Sequence, residues 1–357
     1  MPTASLTETI ACIRSVDRTW LARAQEHQLR LTKPPGSLGR LEEIANRIAA
    51  IQSTLTPRIH RPRIVLFAAD HGVCAEGVNP YPQAVTAQMV ANFLRGGAAI
   101  NALAQEAGIE LEIVDAGVAH DIPDAAGLSY RAVARGTQNF CVEAAMTRQQ
   151  LDAALLLGIE TAERAVNSGC TLLGIGEMGI GNTTTASALT AALTGLEPNA
   201  VIGRGTGADD PCMSRKRSAI ERALTLHKAH LTGPFEILER LGGFEIAAIC
   251  GLCLGAAARR CAVLVDGFIA TAAAAVAVRI SEPVRDYLIA AHRSTEPGHG
   301  PLLDILDQRP LFDLQMRLGE GTGAAIAIPT VRAAVAAFTR MATFESAGVS
   351  SASEGSV

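Results

Sequence analysis

From residue 63 onward the chain shows one recurring pattern: short apolar runs, most of them followed by glycine and then by a segment of helical composition. Such runs are typical of strands buried on both faces, and their alternation with helices predicts βαβ units and a largely parallel sheet. The predicted strands are Ile64–Ala69, Leu111–Val114, Thr171–Ile175, Cys261–Val265, Leu288–Ala291 and Phe312–Leu318. The sequence therefore indicates the α/β fold class.

The two ends of the chain depart from this pattern. Residues 5–55 carry apolar positions such as Ile44 and Ile48 at helical spacing, and Lys33–Gly39 interrupts them as a turn or an ordered loop. The last fifteen residues, Thr343–Val357, are rich in serine, alanine and glycine. We expect a helical N-terminal region and a disordered C-terminal tail.

The composition argues against two classes of partner. The formal net charge is −4 and no run of lysine or arginine occurs, so the chain lacks the electrostatic footprint of a nucleic-acid-binding protein. Residues Met1–Thr19 are charged and do not predict a signal peptide. The most membrane-like stretch, Cys261–Ile280, is interrupted by Asp266-Gly267 and is predicted to form a strand and a helix. We expect a cytoplasmic protein without nucleic-acid or membrane partners.

Eight cysteines are scattered along the chain. Cys250 and Cys253 form a Cys-x-x-Cys pair within a stretch of small apolar residues. A redox pair or half of a zinc site is an alternative, but packing in the core is favoured for thiols in such a stretch. Reduced thiols agree with a cytosolic protein.

Polar and glycine-rich segments follow the predicted strands at their carboxyl ends. They are Asp70–Gly72, Asp115–Gly117, Gly176–Thr185, Asp266-Gly267, His292–Gly300 and Gly319–Gly323. Because ligands bind beyond the carboxyl ends of the strands in open α/β sheets, we expect one composite site at this edge.

Two glutamates stand between glycines directly after apolar runs. Glu177 lies in Gly-Glu-Met-Gly-Ile-Gly and Glu320 in Gly-Glu-Gly-Thr-Gly. Since glycine has no side chain to block a ligand, carboxylates in such segments are candidates for catalytic or ligand-binding groups. For Glu320 the alternative is a carboxylate that interacts favourably with the dipole of the helix it precedes, an effect of roughly 0.3–1 kcal/mol.

The segment Gly176–Thr183 matches the spacing of a phosphate-binding loop except that Asn182 replaces the lysine. Backbone amides and the hydroxyl of Thr183 could still hold a phosphate at the start of the following helix. Because the missing lysine removes the clamp on β- and γ-phosphates, a monophosphate is the better candidate ligand. The alternative is a tight turn from strand to helix with a threonine cap.

A second glycine-rich segment, Gly203–Gly207, could form a backbone nest for an anion, with charge from Arg204 or Lys216. A mobile loop is the alternative. Metal ligation by Asp70, His71, Asp266, His292, Glu296 and His299 is a minority interpretation, because Pro297 and Gly298 break the helix that a Glu296/His299 ligand pair would need. For Asp70 and Glu296, hydrogen-bond anchoring of loops and direct ligand contact both stay open.

Tyr81 is framed by prolines and followed by Gln88 and Met89. A tyrosine held in this way could form one wall of a flat pocket, with the flexible methionine adapting to the ligand. Packing in the core or at an interface is the alternative.

Together these segments resemble the nicotinate-nucleotide:5,6-dimethylbenzimidazole phosphoribosyltransferases of cobalamin lower-ligand synthesis. The matching segments follow one another over nearly the whole chain: Lys33–Gly39, Ala69–Val73, Tyr81-Pro82, Val85-Thr86, Gly174–Thr184, Gly203–Gly207, Asp266–Phe268, His292–Ser294, Glu296–His299 and Leu318–Ala324. The set is far more specific than any one of its members.

The resemblance implies a three-layer α/β/α fold with a mainly parallel, Rossmann-like sheet, and a homodimer. It implies a small helical domain from residues 1–58, completed by residues 336–357, beside a catalytic domain of residues 59–335. It also implies the reaction, in which the phosphoribosyl group of nicotinate mononucleotide moves to a benzimidazole nitrogen, giving α-ribazole 5′-phosphate and nicotinate. Since the pyridinium leaving group carries a positive charge, this displacement needs no metal, and we expect no cofactor.

The resemblance implies that Glu320 is the general base and that Glu177 lies near the ribose. A carboxylate in an apolar slot has its charged form disfavoured, which brings its pKa toward the range of a working base. Asn79 stands where the family has serine, which bears on the preferred azole. We expect the phosphate and ribose to be held by Gly176, Gly179, Gly181, Asn182, Thr183, Gly203, Arg204, Gly205, Lys216, Gly319 and Gly321, the base by Tyr81, Gln88, Met89 and Leu318, and the loops by Asp70, His71, Asp266, His292 and Ser294.

Three other classes compete with this interpretation. A nucleotide triphosphatase or kinase would need a lysine at the position of Asn182. A nicotinamide-dependent dehydrogenase would share the α/β core, and a non-catalytic nucleotide sensor would bind nicotinate mononucleotide without releasing nicotinate.

Overall fold

The computed structural model describes residues 5–122, 126–205 and 207–350. Six strands form one sheet: β1 (Arg63–Ala69), β2 (Glu110–Gly117), β3 (Ser129–Tyr130), β4 (Leu172–Met178), β5 (Ala262–Val265) and β6 (Leu288–Ala290). Their order in the sheet is β3-β2-β1-β4-β5-β6, and every pairing is parallel. This is the strand order of the Rossmann fold, so the predicted fold class is confirmed.

The strands form where the apolar runs predicted them, with two exceptions. The predicted strand Phe312–Leu318 is wrong: only Phe312 forms an isolated bridge, to His292. Its alternating pattern is that of a strand, but Gln315 adopts a left-handed backbone with φ of 55°, which interrupts an extended conformation. The second exception is β3 at the edge of the sheet, which is too short to give a sequence signal.

The helices connect the strands and cover both faces of the sheet. In chain order they are α1 (Leu6–Cys12), α2 (Arg18–Arg30), α3 (Arg40–Gln52), α4 (Val85–Leu94), α5 (Ala99–Glu106), α6 (Arg148–Asn167), α7 (Asn182–Thr194), α8 (Pro198–Val201), α9 (Asp210–His227), α10 (Pro234–Leu241), α11 (Phe244–Ala258), α12 (Phe268–Ile280), α13 (His299–Leu306), α14 (Thr322–Arg340) and α15 (Phe344–Ala347). Short 3-10 turns occupy Gly72–Glu76, Lys228–His230 and Glu282–Tyr287.

Two groups of helices pack against the sheet. α11 and α12 contact each other and the central strands, while α5 and α14 contact each other and strands of the same sheet. β5 and β6 are buried along their whole length, as expected for strands covered on both sides. Cys250 and Cys253 are fully buried in α11, which confirms the prediction that they pack in the core.

The N-terminal region is helical, as predicted, and α2 meets the end of α14. The His27 ring lies 3.0 Å from the Phe338 carbonyl through Nε2, and the Thr32 amide donates to the Ala342 carbonyl at 3.0 Å. Residues 35–39 form a turn between α2 and α3. The division into two domains at residue 58 stays a prediction.

The prediction of a disordered tail over residues 343–357 is wrong for its first part. Thr343 caps α15, and its hydroxyl accepts the Ser346 amide at 3.1 Å, so this local hydrogen bond orders a serine-rich segment. Residues 351–357 lie outside the described part of the chain. α14 is long and apolar enough to cross a membrane, but 56% of its apolar window is buried inside the protein, as for a core helix.

Candidate active site

A cavity of about 640 Å³ opens at the carboxyl ends of β1, β4, β5 and β6, next to the point where the strand order reverses. Ligands in open α/β sheets bind at this point. The lining residues are Asn79, Tyr81, Val85, Met89, Glu177–Ile180, Asn182, Thr183, Gly205, Gly267–Ile269, His292, Ser294, Glu296 and Arg317–Glu320. Four of the six segments predicted to form one composite site contribute to this lining, whereas Asp70–Gly72 and Asp115–Gly117 do not.

Most residues predicted for the site line this cavity. Those that do are Glu177, Gly179, Asn182, Thr183, Gly205, Gly319, Glu320, Tyr81, Met89, Leu318, His292 and Ser294. Gly176, Gly181, Gly203, Lys216, Gly321, Asp70, His71 and Asp266 lie behind the wall, and Arg204 and Gln88 are exposed side chains outside it. Thr206, in the second glycine-rich segment, lies outside the described residues.

Glu177 is the penultimate residue of β4, and its carboxylate is buried against a glycine. Asn182 donates a hydrogen bond to Oε2, and a β-carbon at Gly319 would stand 2.3 Å from Oε1. Burial raises the pKa of Glu177 well above its usual range, and the negative charges of Glu245 and Asp266 add to this, against the hydrogen bond from Asn182. Burial and these charges therefore favour the protonated form of the Glu177 carboxyl group.

Glu320 lies in the turn before α14, with a left-handed backbone of φ 62°. Gly176 packs against its backbone, since a β-carbon there would stand 2.6 Å from the Glu320 carbonyl oxygen. Burial raises the pKa of Glu320 to about 6, opposed by the Ile100 amide and reinforced by Asp266. Oε2 accepts no hydrogen bond from any described residue. A carboxylate of this kind suits a general base near neutral pH.

The start of α7 has free amides beside the cavity. Asn182 and Thr184 donate to the Gly179 and Gly181 carbonyls, but the amides of Gly181 and Thr183 have no partner among the described residues. Gly181 adopts φ of 100° as the cap of this helix. A helix N-terminus with unused amides can bind an anion such as a phosphate.

The Gly203–Gly205 segment is held from three sides. Glu296 accepts the Gly205 amide at 2.9 Å, Arg317 donates to the Gly205 carbonyl at 2.8 Å, and the buried Lys216 contacts the Gly203 carbonyl at 3.3 Å. Glu296 thus anchors a loop and also lines the cavity, while its direct contact with a ligand stays a prediction. Arg204 instead points outward and pairs with Asp210 at 2.6 Å.

His71 and Glu245 form a buried pair beneath the glycines of the α7 loop. His71 Nε2 lies 2.7 Å from Glu245 Oε1, and Nδ1 lies 2.9 Å from the Thr185 hydroxyl. Asp70 accepts the Ala119 amide at 2.8 Å. Asp70 and His71 therefore anchor loops around the site. Glu245 was not assigned to the site from the sequence, although it closely follows Gly242-Gly243.

One side of the cavity is apolar. Tyr81 and Leu318 are half-exposed at its rim, and Met89 and Phe268 contribute to its walls. Asn79 accepts the Tyr81 amide at 2.9 Å and so fixes the turn that carries the tyrosine. Val85 and Phe268 lie in segments that resemble the family, but Ile269 and Arg317 were not singled out from the sequence, because apolar or charged residues without a motif give no such signal.

No metal-binding group of three or more His, Cys, Asp or Glu side chains occurs within residues 5–122, 126–205 and 207–350. Asp266 is one acidic group near the cavity that is engaged with amides and a histidine. Asp266 accepts three backbone amides of the turn around Gly321, and His292 lies 3.5 Å from it.

Comparison with known proteins gives one consistent result. A phosphoribosyltransferase family model matches residues 13–349. A nicotinate-nucleotide–dimethylbenzimidazole phosphoribosyltransferase from Geobacter sp. strain M21 is 48% identical and covers 97% of this chain and 99% of its own. The protein of that name from Geobacter sulfurreducens is 50% identical, covering 96% of this chain and 98% of its own.

Solved structures agree with these sequence relatives. A crystal structure of the nicotinate-nucleotide–dimethylbenzimidazole phosphoribosyltransferase from Thermus thermophilus superposes with a TM-score of 0.88 at 48% identity, over 94% of this chain and 99% of the other. Sequence and fold thus agree over nearly the whole length of the chain. The chain belongs to the nicotinate-nucleotide–dimethylbenzimidazole phosphoribosyltransferase family.

Proposed function

We propose that the protein transfers the 5-phosphoribosyl group of nicotinate mononucleotide to 5,6-dimethylbenzimidazole, giving α-ribazole 5′-phosphate and nicotinate for cobalamin nucleotide-loop assembly. One observation carries this proposal: Glu177 and Glu320 share a cavity that has free helix amides at one end and an apolar wall at the other. Two relatives that are named for this activity share about half of their residues with this protein over nearly the whole chain.

In the reaction, a nitrogen of the azole bonds to the anomeric carbon as the bond from that carbon to the nicotinate nitrogen breaks. The bonding electrons leave with the pyridinium nitrogen and neutralise its charge, so the leaving group needs no acid. The azole becomes cationic unless its other nitrogen loses a proton. Glu320 takes that proton. It can do so because its pKa of about 6 leaves the carboxylate ionised at neutral pH.

Glu177 contributes as a hydrogen-bonding group near the ribose. Burial and neighbouring charge raise its pKa and so favour the protonated form, which can donate to a ribose hydroxyl oxygen as well as accept. Asn182 fixes its orientation. The fixed position of both substrates supplies a large part of the acceleration in a site with so few reactive groups.

The 5′-phosphate binds at the start of α7. The unused amide and the hydroxyl of Thr183 face a monoester, and the Gly203–Gly205 segment closes the other side. Lys216 and Arg317 supply positive charge through that segment. The azole then lies against Tyr81, Met89 and Leu318.

The assembly and location follow from the family resemblance. We infer that the protein acts as a homodimer in the cytoplasm, with residues 1–58 and 336–357 forming a small helical domain beside the catalytic domain. The half-exposed apolar side chains Tyr81 and Leu318 at the cavity rim support a partner surface close to the site.

The test is a turnover assay with nicotinate mononucleotide and dimethylbenzimidazole, in which nicotinate and α-ribazole phosphate are separated by chromatography. We expect both products in equal amounts from the parent protein, and a loss of at least about a hundredfold in turnover for Glu320→Gln, in the range of general-base catalysis. Absence of products from the parent would contradict the function. Undiminished turnover in the variant would contradict the role of Glu320.

A further inference from the structure

The backbone amides at the start of α14 are already occupied. Asp266 Oδ2 accepts the Gly321 amide at 3.0 Å, and Oδ1 accepts the Gly323 and Ala324 amides at 2.7 and 3.2 Å. The Thr322 and Ala325 amides donate to the Gly319 and Gly321 carbonyls. Glu320 comes directly before the helix cap, yet the helix has no amide left for its carboxylate.

The start of α7 differs in this respect. Its Gly181 and Thr183 amides have no partner within the described part of the chain, and no carboxylate there occupies the position that Asp266 has at α14. A helix N-terminus stabilises an anion through its free amides and its dipole. The two helices at the cavity therefore differ in their first-turn amides. Two of those of α7 are available to bind an anion, whereas those of α14 are already hydrogen-bonded.

Asp266 is fixed in this position. It is 1% exposed, and His292 Nε2 lies 3.5 Å from its Oδ1. Gly323 must be a glycine here, because a β-carbon would stand 2.1 Å from the His292 ring and 2.7 Å from Asp266. The carboxylate is held by the helix it caps and by one histidine.

We propose that Asp266 is a positioning residue that takes up the free amides of α14, so that Glu320 lies beside the helix without being stabilised by it as an anion. The proposal rests on the proposed function, in which Glu320 removes a proton from the azole. A carboxylate at an open helix N-terminus would be a weaker base, because the amides and the dipole favour its ionised form.

The other groups around Glu320 shift its pKa in both directions. Burial raises the pKa of Glu320, the Ile100 amide at the start of α5 opposes the shift, and the charge of Asp266 reinforces it. Glu177 faces the same space from β4, and the charge of Glu320 contributes to the raised pKa of Glu177. Although burial disfavours its charged form, Asp266 raises the pKa of His292 and so favours its protonation.

The test is the pH dependence of kcat/KM for dimethylbenzimidazole between about pH 4.5 and 8.5 in the parent, Asp266→Asn and His292→Gln. Loss of the negative charge in Asp266→Asn should move the acid limb to lower pH by about 0.5–1 unit, and the plateau should fall about tenfold. Loss of the positive charge in His292→Gln should move the limb to higher pH. Damage to folding alone would not move the limb in opposite directions.

Asp115→Asn is the matched control. Asp115 is also buried and its Oδ1 accepts the Gly117 and Val118 amides at 2.9 and 2.8 Å, but it lies at the end of β2. The Asp115→Asn variant should show the acid limb of its kcat/KM profile at the same pH as the parent. The proposal is overturned if Asp266→Asn keeps the parental limb, or if Asp115→Asn moves it equally.

A readout without substrate separates this proposal from the proposed function. The infrared carboxyl band of Glu320, identified as the difference between the parent and Glu320→Gln, can be titrated in the free protein. The same downward shift in Asp266→Asn is expected there even if the parent shows no turnover. An unchanged titration in Asp266→Asn would contradict the role of Asp266.

Discussion

Oε1 of Glu177 lies against the backbone of Gly319, where an added β-carbon would stand 2.3 Å from that oxygen. The residue that follows this glycine is Glu320. The carboxylate at the end of β4 and the turn that carries the second carboxylate are thus packed directly on one another, and the separation of the two acids depends on a position without a side chain.

Gly319→Ala should therefore impair the site. The methyl group would displace the Glu177 carboxylate, and the φ of 87° at this position strains any residue with a β-carbon. We expect a loss of at least about tenfold in kcat/KM and of about 1–3 kcal/mol in the free energy of unfolding. Turnover and thermal unfolding measure both effects.

Gly300→Ala serves as the control for that substitution. Gly300 lies in α13, and an added β-carbon would meet no atom within 4 Å. Because alanine is favoured over glycine within a helix, the variant should keep its activity and gain about 0.5–1 kcal/mol in stability. Full activity in Gly319→Ala would show that the contact with Glu177 does not set the geometry.

The activity of the parent should depend on pH through Glu320. A base must be deprotonated, and its pKa is about 6, so kcat/KM should rise about tenfold per pH unit below 6 and level off above it. Steady-state rates across this range measure the profile. A profile that is flat from about pH 4.5 to 7 would exclude Glu320 as the base.

The raised pKa of Glu320 also predicts that its ionisation lowers the free energy of unfolding above about pH 6. The folded protein binds the Glu320 proton more tightly than the unfolded chain, so this stabilising effect is complete below the unfolded pKa of 4.5 and is lost as the pH rises through about 6. Glu320→Gln should thus be more stable than the parent by about 1–2 kcal/mol at about pH 8 and show no such gain near pH 4. Denaturant unfolding at both pH values measures the difference, and an equal effect at both would contradict it.

Much of this arrangement could be predicted from the sequence. Buried apolar runs that alternate with helices identify the parallel strands, and the glycines around Glu177 and Glu320 identify the turns at their ends. The bond from Arg317 to Gly205 could not be predicted, because it joins residues far apart in the chain that have no shared motif. The strand predicted over Phe312–Leu318 does not form because Gln315 adopts a left-handed backbone conformation. A polar residue in an alternating pattern gives no indication of that conformation.

Arg317 lines the cavity in the structure, although the sequence predicted Arg204 as the phosphate-binding arginine. It donates to the Gly205 carbonyl from inside the cavity, whereas Arg204, which the sequence placed at the phosphate, pairs with Asp210 outside it. Arg317→Ala should raise KM for nicotinate mononucleotide about tenfold, as expected for a lost hydrogen bond from a charged group, and leave KM for the azole nearly unchanged. Arg204→Ala should change the first KM much less, and the reverse order would contradict the assignment.

The most direct measurement is a crystal structure of the protein with dimethylbenzimidazole bound. If Glu320 is the base, one of its carboxylate oxygens should lie about 2.6–3.2 Å from a ring nitrogen, with the ring against Tyr81, Met89 and Leu318. A bound ring whose two nitrogens both lie out of hydrogen-bond reach of Glu320, with the carboxylate turned toward solvent, would contradict the mechanism.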